Sequence, residues 1–475
     1  MGTVSFDDDI RVKDDSGAAE EWEQPTELKY VDAVNMLAKE IMQIYRPVRN
    51  KGELYIYHDG RWIDGADAEA ILDQYIKSRY YALGLDSKFV FPQLCGTVQA
   101  QVEREAPPVE PTDGIMFRNG LFRWEKEDGV YYPKFTPVTE GDIPFTRYNL
   151  PYDFPAELLQ EAREKGWHPF RAMPPAAMRA FARWNGRAAL LLLELIGYAT
   201  FTREYIWNTA VMLIGEGSNG KSTYLKLVRD LFSPHVSGLS LQVIASPEGN
   251  FQRIRLRNSL VNIFADLPRQ PLRYTEWFKA LTGGDQVTAD RKNREPIEFV
   301  NIAKMFFATN ELPIVHDISN AFFRRWVIVE FPHQFPPDPH FYDHTFPSED
   351  RSKILVAGIL AFEQALRRGG FSMGGKGSNA AEYREYWMRE TNNVYAWVQE
   401  RIEDGLLIKD ENGVISLKEV YDDYIEWCND REEEAVSKKT FSERMEQLGY
   451  KRKRTTRERL LQGLRKPIPH DTQLY

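Results

Sequence analysis

Gly215-Glu216-Gly217-Ser218-Asn219-Gly220-Lys221-Ser222-Thr223 is the stretch whose reading decides the fold. It has the spacing Gly-x4-Gly-Lys-Ser, with a further Gly and an Asn inside the loop. Before it runs Thr209-Ala210-Val211-Met212-Leu213-Ile214, a short apolar run that reads as a buried parallel strand. After it, residues 222–232 carry apolar side chains at helical spacing. Strand, glycine loop and helix are the context in which such a loop holds phosphate. Glycines let successive backbone N–H groups face one anion, and the helix N-terminus adds the positive end of its dipole. Gly215, Gly217, Ser218, Asn219, Gly220, Lys221, Ser222 and Thr223 are therefore the expected nucleotide-binding residues. Lys221 reaches for the β- and γ-phosphates, and Ser222 for Mg²⁺. The competing reading is a solvated lysine in a glycine-rich turn.

Downstream segments narrow the chemistry. Ser259 to Asp266 is a second apolar strand ending in an acid, the place for a carboxylate that holds Mg²⁺ through water. Residues 287–300 read as two strands around a polar tip, Lys292-Asn293-Arg294, suited to touching phosphates. Ile302 to Asn310 is a third strand, and the Asn310 amide can orient a water or read a γ-phosphate because it both donates and accepts. Arg324 and Arg325 stand at the start of a fourth strand, and arginine is the side chain that stabilises charge on a transferring phosphoryl group. Each has a plainer alternative: a turn, a capping amide or a surface pair.

At 475 residues the chain has room for roughly three domains, and 43% hydrophobic with 13% aromatic residues supports real cores. Two cysteines, Cys95 and Cys428, exclude a disulfide framework or a cysteine-based zinc site and fit a reducing cytoplasm. No run of 18 apolar residues marks a membrane span. The net charge of −9 argues against nucleic acid until its distribution is read. Residues 1–25 hold eight acids and two bases, an acidic arm expected to be disordered. Residues 437–475 hold eleven Lys or Arg against four acids, so one end is locally basic.

Organisation follows from punctuation. Residues 54–63 read as a hairpin about Asp59-Gly60, residues 106–112 as a proline-rich connector, and residues 117–124 as another hairpin. The expected division is an acidic arm (1–25), an N-terminal α+β domain (26–155), a helical collar (156–204), the nucleotide-binding domain (205–369), a linker (370–394) and a C-terminal module (395–475). In that module Ser437 to Gly449 reads as a capped helix with basic early residues Lys438 and Lys439, suited to recognition of DNA. Lys451, Arg452, Lys453 and Arg454 follow as a basic wing, and a solvated basic tail is the alternative.

Taken in order, Gly215–Thr223, Asp266, Leu281 to Asp285 with Arg291-Lys292, Ala308 to Pro313, and Arg324-Arg325 resemble the superfamily 3 helicases of the phage/plasmid primase-helicase family, relatives of the poxvirus-type helicases. Residues 113–120 and 146–152 are similar to the segment that precedes the motor in that family. The resemblance implies an α/β, AAA+-type P-loop NTPase core with an N-terminal α+β domain and a C-terminal winged-helix domain. It implies a hexameric ring that binds ATP between subunits and moves 3′ to 5′ on single-stranded DNA, opening duplexes at forks during viral or plasmid replication in the host cytoplasm. Lys221 then serves as Walker A lysine, Asp266 as Walker B, Asn310 as sensor, Lys292 and Arg294 as pore contacts, and Arg324 or Arg325 as the finger acting on a neighbour.

Two departures accompany the match. The family places a pair of acids after the second strand, and here Ala265 precedes Asp266, leaving Glu276 and Asp285 as weaker candidates for the water-activating base. No polymerase-type acid or histidine constellation stands upstream, so the chain reads as the helicase half alone, either naturally or by truncation, and a separate primase or initiator is a partner this reading leaves open. The alternatives are an ATP-switched initiator or loader that binds origin DNA without processive unwinding, and a small-molecule phosphotransferase.

Overall fold

The computed structural model describes residues 29–139, 142–291, 294–315, 317, 319–372, 379–454 and 458–468. The acidic arm and the tip residues Lys292 and Asn293 lie outside these. Contacts divide the chain into two units, residues 1–58 with 63–109 and residues 59–62 with 110–475. That boundary falls within the stretch 26–155 read as one domain and at the proline-rich connector.

The first unit packs three helices. Tyr30–Tyr45 buries Ala33, Leu37, Ala38 and Ile41, one stripe at helical spacing. Gly65–Ala82 and Phe91–Glu105 supply Leu72, Ile76, Leu94 and Val98 to the same core.

The second unit is built on a five-stranded parallel sheet. Its strands in chain order are Ala210–Ile214, Val236–Ser237, Val261–Phe264, Lys304–Thr309 and Trp326–Glu330. Across the sheet the order is fifth, first, fourth, third, second. Helices cover both faces, so the strands are apolar on both sides; all five residues of Ala210–Ile214 are buried. The first strand lies between the fourth and fifth, where the order reverses. In open α/β sheets ligands settle outside the carboxyl ends of the strands at such a point.

Behind this sheet, helix Ala189–Ala199 packs on helix Ser348–Arg368. The approach is close because Gly197 faces Gly358: a Cβ on Gly197 would stand 2.0 Å from the Gly358 carbonyl oxygen. Glu194 interrupts the leucine run of the first helix and is fully buried, yet it accepts from Arg368 (2.7 Å) and from the Ser372 backbone N–H (2.8 Å). A four-stranded sheet formed by residues 115–149 joins the same unit. Tyr152 donates to the Leu231 carbonyl at 2.7 Å, fastening this sheet to the helix after the glycine loop.

The stretch 370–394, expected as linker, contains helix Asn379–Thr391. Trp387 explains the difference. It is fully buried among Phe322, Phe323 and Trp326, and its indole donates to the Pro313 carbonyl at 2.8 Å. Glycine and serine content upstream had masked this anchor.

The C-terminal module has helices Asn393–Glu403, Leu417–Asp430 and Lys438–Gln447 against a three-stranded antiparallel sheet. In that sheet Arg459–Arg465 lies between Ile408–Ser416 and Lys451–Arg454. Trp397, Tyr424, Phe441, Met445 and Leu461 fill its core. Ser437 caps the third helix by accepting from Thr440 N–H, and Gly449 follows the helix end at φ +98°.

Candidate functional site

The glycine loop leaves the carboxyl end of Ala210–Ile214 and enters helix Lys221–Phe232. Two glycines are required by geometry. Gly215 sits at φ +153°, and a Cβ there would meet Asn219 Nδ2 at 2.3 Å and the Phe331 carbonyl oxygen at 2.6 Å. Gly220 sits at φ +97°, and a Cβ would meet the Trp184 indole nitrogen at 2.3 Å. Asn219 is buried and fastens the loop: its Nδ2 donates to the Phe331 carbonyl at 3.0 Å, and its Oδ1 accepts from Lys221 at 3.1 Å. The Phe335 N–H donates to the Ser218 carbonyl at 2.8 Å, a second tie to the chain beyond the fifth strand.

Lys221 is buried, and its ammonium donates to the carbonyls of Gly215 (2.5 Å) and Glu216 (3.1 Å) and to the side-chain oxygens of Asn219 (3.1 Å) and Asn310 (3.3 Å). Burial pushes its pKa below the usual lysine range, and the Asp266 carboxylate opposes that shift. The ammonium is thus held at the loop by neutral oxygens, all weaker partners than a phosphate.

Asp266 and Asn310 follow the third and fourth strands at the same sheet edge, and both are exposed. They line one cavity with Gly217–Thr223, including the exposed Ser222 at the start of the helix. Its volume is about 650 Å³, within the range of small-ligand sites. The strand ends therefore bring together Lys221, Ser222, Asp266 and Asn310. Ala265 lines the same cavity, while Glu276 and Asp285 do not figure among its lining residues. Glu276 instead accepts from the Thr275 N–H at 3.1 Å.

Another part of the lining, beside the glycine loop, carries no motif in the sequence. It includes Arg183 and Trp184 from helix Pro175–Asn185, Phe335 and Asp338 from the loop after the fifth strand, and Phe341 at the start of helix Phe341–Thr345. The Arg183 guanidinium lies 5.3 Å from the Phe335 ring centroid. The signal available was the aromatic content of a proline-rich loop beyond a strand end.

The two arginines separate. Arg325 is 8% exposed; its Nε donates to Thr282 Oγ1 at 3.0 Å, and other guanidinium nitrogens donate to the carbonyls of Ala321 and Lys279. Arg324 is exposed. Within one chain Arg325 thus braces the start of the fifth strand, and Arg324 presents its charge to solvent.

Strands Gln286–Arg291 and Arg294–Val300 form the expected hairpin, with Val287, Ala289, Ile297 and Phe299 buried. Lys292, Asn293 and the Arg294 side chain lie outside the described residues. In the C-terminal module, Lys438, Lys439, Arg452, Lys453 and Arg454 face one concavity, whereas Lys451 lines a different depression beside Asp410 and Glu411.

A family model described as "Family of unknown function (DUF5906)" matches residues 213–325, from the end of the loop strand to the arginine pair. A protein of Acanthamoeba polyphaga mimivirus, named "Putative helicase L207/L206", is 29% identical over 129 residues. That match covers 26% of this chain and 13% of the mimivirus protein, so the chain spans about an eighth of its relative's length. Among solved structures, the apo C-terminal region of NrS-1 covers 92% of this chain and 98% of its own at 14% identity, with a TM-score of 0.48. A structure of JCV helicase covers 52% of this chain and 72% of its own at 13% identity, with a TM-score of 0.24. No described helix is long and apolar enough to cross a membrane.

Proposed function

We propose that this chain is an ATP-driven DNA helicase subunit of superfamily 3, with an AAA+-type P-loop core and a C-terminal winged helix. The observation that carries the reading is the convergence of Lys221, Ser222, Asp266 and Asn310 on one cavity at the carboxyl edge of a parallel sheet. The similarity of a 129-residue segment to a protein named as a helicase supports it.

Phosphate oxygens replace the neutral acceptors of Lys221, and the first turn of the helix adds its N–H groups. Asn310 is freed by the same exchange to hold a water against the γ-phosphate. Ser222 and Asp266 have the oxygen donors that Mg²⁺ prefers, and the ion supplies charge neutralisation between the phosphates. Arg183, Trp184, Phe335 and Phe341 provide the wall against which the nucleotide base lies. Arg324 is the residue that reaches a neighbour's nucleotide in a hexameric ring, because Arg325 is committed internally. Lys292, Asn293 and Arg294 contact single-stranded DNA in the ring.

The test is strand displacement on 3′-tailed, 5′-tailed and forked duplexes with ATP and Mg²⁺, comparing wild type with Lys221→Ala. Displacement of the 3′-tailed duplex that the variant lacks is expected. Hydrolysis without displacement on any substrate would replace this reading with the ATP-switched loader.

A further inference from the structure

The C-terminal module has a concavity of about 470 Å³ between helix Lys438–Gln447 and the strand pair Lys451–Arg454 and Arg459–Arg465. Six cations line it: Lys438, Lys439, Arg452, Lys453, Arg454 and Arg459. Leu417 and Ser442, both buried, complete the lining as its floor.

Three features of this hollow each cost free energy in the chain by itself. Arg454 stands directly opposite Arg459 in the strand register, and like charges so placed repel. Lys438 and Lys439 occupy the first turn of a ten-residue helix, where the positive end of the dipole disfavours cations. Ser442 is 4% exposed, and its hydroxyl has no hydrogen-bond partner among the described residues. Glu446 pairs with Arg452, and Glu443 lies 4.0 Å from Lys439. One tetrahedral anion would relieve all three, by screening the arginine pair, answering the helix end and accepting from the serine.

We propose that this concavity is a phosphate-ester site that takes one phosphate of a nucleic-acid strand. It rests on the reading that the chain works on DNA, and not on hydrolysis by the motor. Guanidinium groups suit phosphate because they donate in parallel to two oxygens. The described lining residues include no aromatic ring on which a base could stack, so the site reads the backbone and not the sequence. A backbone phosphate and a strand-terminal phosphate have the same chemistry here.

The experiment measures binding of full-length protein, without nucleotide, to blunt duplexes by fluorescence anisotropy between 50 and 200 mM salt, roughly the range over which phosphate contacts dominate. Duplexes with 5′-phosphate and 5′-hydroxyl ends are compared. The double variant Arg454→Gln/Arg459→Gln should bind about tenfold more weakly and lose about one unit of the log–log salt slope, the share of a single phosphate. Ser442→Ala should weaken binding a few fold with the slope unchanged, because it removes no charge. A terminal source predicts that the 5′-hydroxyl duplex binds wild type more weakly and the double variant no differently; a backbone source predicts no effect of the end group on either. Millimolar inorganic phosphate should raise the wild-type melting temperature and leave that of the double variant unmoved. Wild-type affinity and slope in a folded double variant would overturn the proposal, as would duplex binding indifferent to both Ser442→Ala and Arg459→Gln. ATP hydrolysis followed in the same samples keeps the two readings apart: its absence in wild type rejects the motor and leaves the phosphate site standing.

Discussion

Arg324 and Arg325 are neighbours in sequence, and the structure assigns them opposite consequences. Truncating Arg325 to alanine removes a guanidinium that is 92% buried and leaves the carbonyls of Ala321 and Lys279 without that donor. Hydrogen bonds from a charged group contribute about 1.5–3 kcal/mol, so a loss of about 3 kcal/mol is expected once the vacated space is counted. For a unit of this size that lowers the melting temperature by roughly 4 °C. Arg324 is exposed, and its alanine variant should melt within about a degree of wild type. Its loss should appear instead in turnover, by about 10³-fold or more if it acts as a finger.

Mixing decides whether that finger acts on a neighbour. Arg324→Ala and Lys221→Ala should each be inactive alone. In a randomly mixed ring an active site needs a subunit with Lys221 beside a subunit with Arg324, which is met at about a quarter of the sites. ATP turnover should therefore return on mixing to about a quarter of the wild-type rate. A finger acting within its own chain gives no return at any ratio. The reasoning is refuted if Arg324→Ala hydrolyses ATP at the wild-type rate, or if Arg325→Ala is as stable as wild type.

Other expectations follow from the same geometry. Gly220→Ala forces a Cβ into the Trp184 indole at a left-handed φ, so nucleotide affinity measured by calorimetry should fall by at least tenfold, about 1.4 kcal/mol. Lys304 is fully buried, and burial pushes its ammonium down to about 7, although the rings of Tyr198 and Tyr205 lie 4.8 and 4.7 Å away and favour its charge. A base depressed by folding binds fewer protons folded than unfolded, so stability should climb as pH rises from about 7 toward 10.5. Lys304→Met should flatten that rise in urea titrations across the same pH range. Trp387→Ala empties the pocket among Phe322, Phe323 and Trp326 and should cost about 3–5 kcal/mol in chemical denaturation.

What was legible in the sequence was whatever depends on a local pattern. The glycine loop, its flanking strand and helix, the third and fourth strands and the Gln286–Val300 hairpin stand where their periodicity places them. The Ser437 cap and Gly449 announced the helix Lys438–Gln447. What was hidden depends on pairs distant in the chain. Nothing local distinguishes Arg324 from Arg325; the difference is the approach of Thr282, 43 residues earlier. Trp387 sat in a stretch whose glycine and serine content outweighed one aromatic, and its partners lie more than 60 residues away. The Arg183–Phe335 wall joins a helix before the loop to a segment after the last strand, and no motif spacing spans that distance.

The fifth strand shows why these hidden residues matter to the site. At its amino end Arg325 is braced and Arg324 exposed, and Trp387 packs on Trp326, its first residue. At its carboxyl end Phe331 accepts from Asn219 and its N–H donates to the Ile214 carbonyl, so the strand is tied to the base of the glycine loop. Five paired residues at about 3.3 Å each make a rod of roughly 17 Å, hydrogen-bonded along its length to Ala210–Ile214. A shift at the loop large enough to break the Asn219 contact must therefore either bend this ladder or move it as a body. Asn219→Ala separates the two. If the strand moves as a body, loosening the loop also loosens the arginine end, and amide exchange near Arg324 rises together with exchange at Gly215. If the ladder bends, the change stays within the loop, and the exchange near Arg324 keeps its wild-type rate.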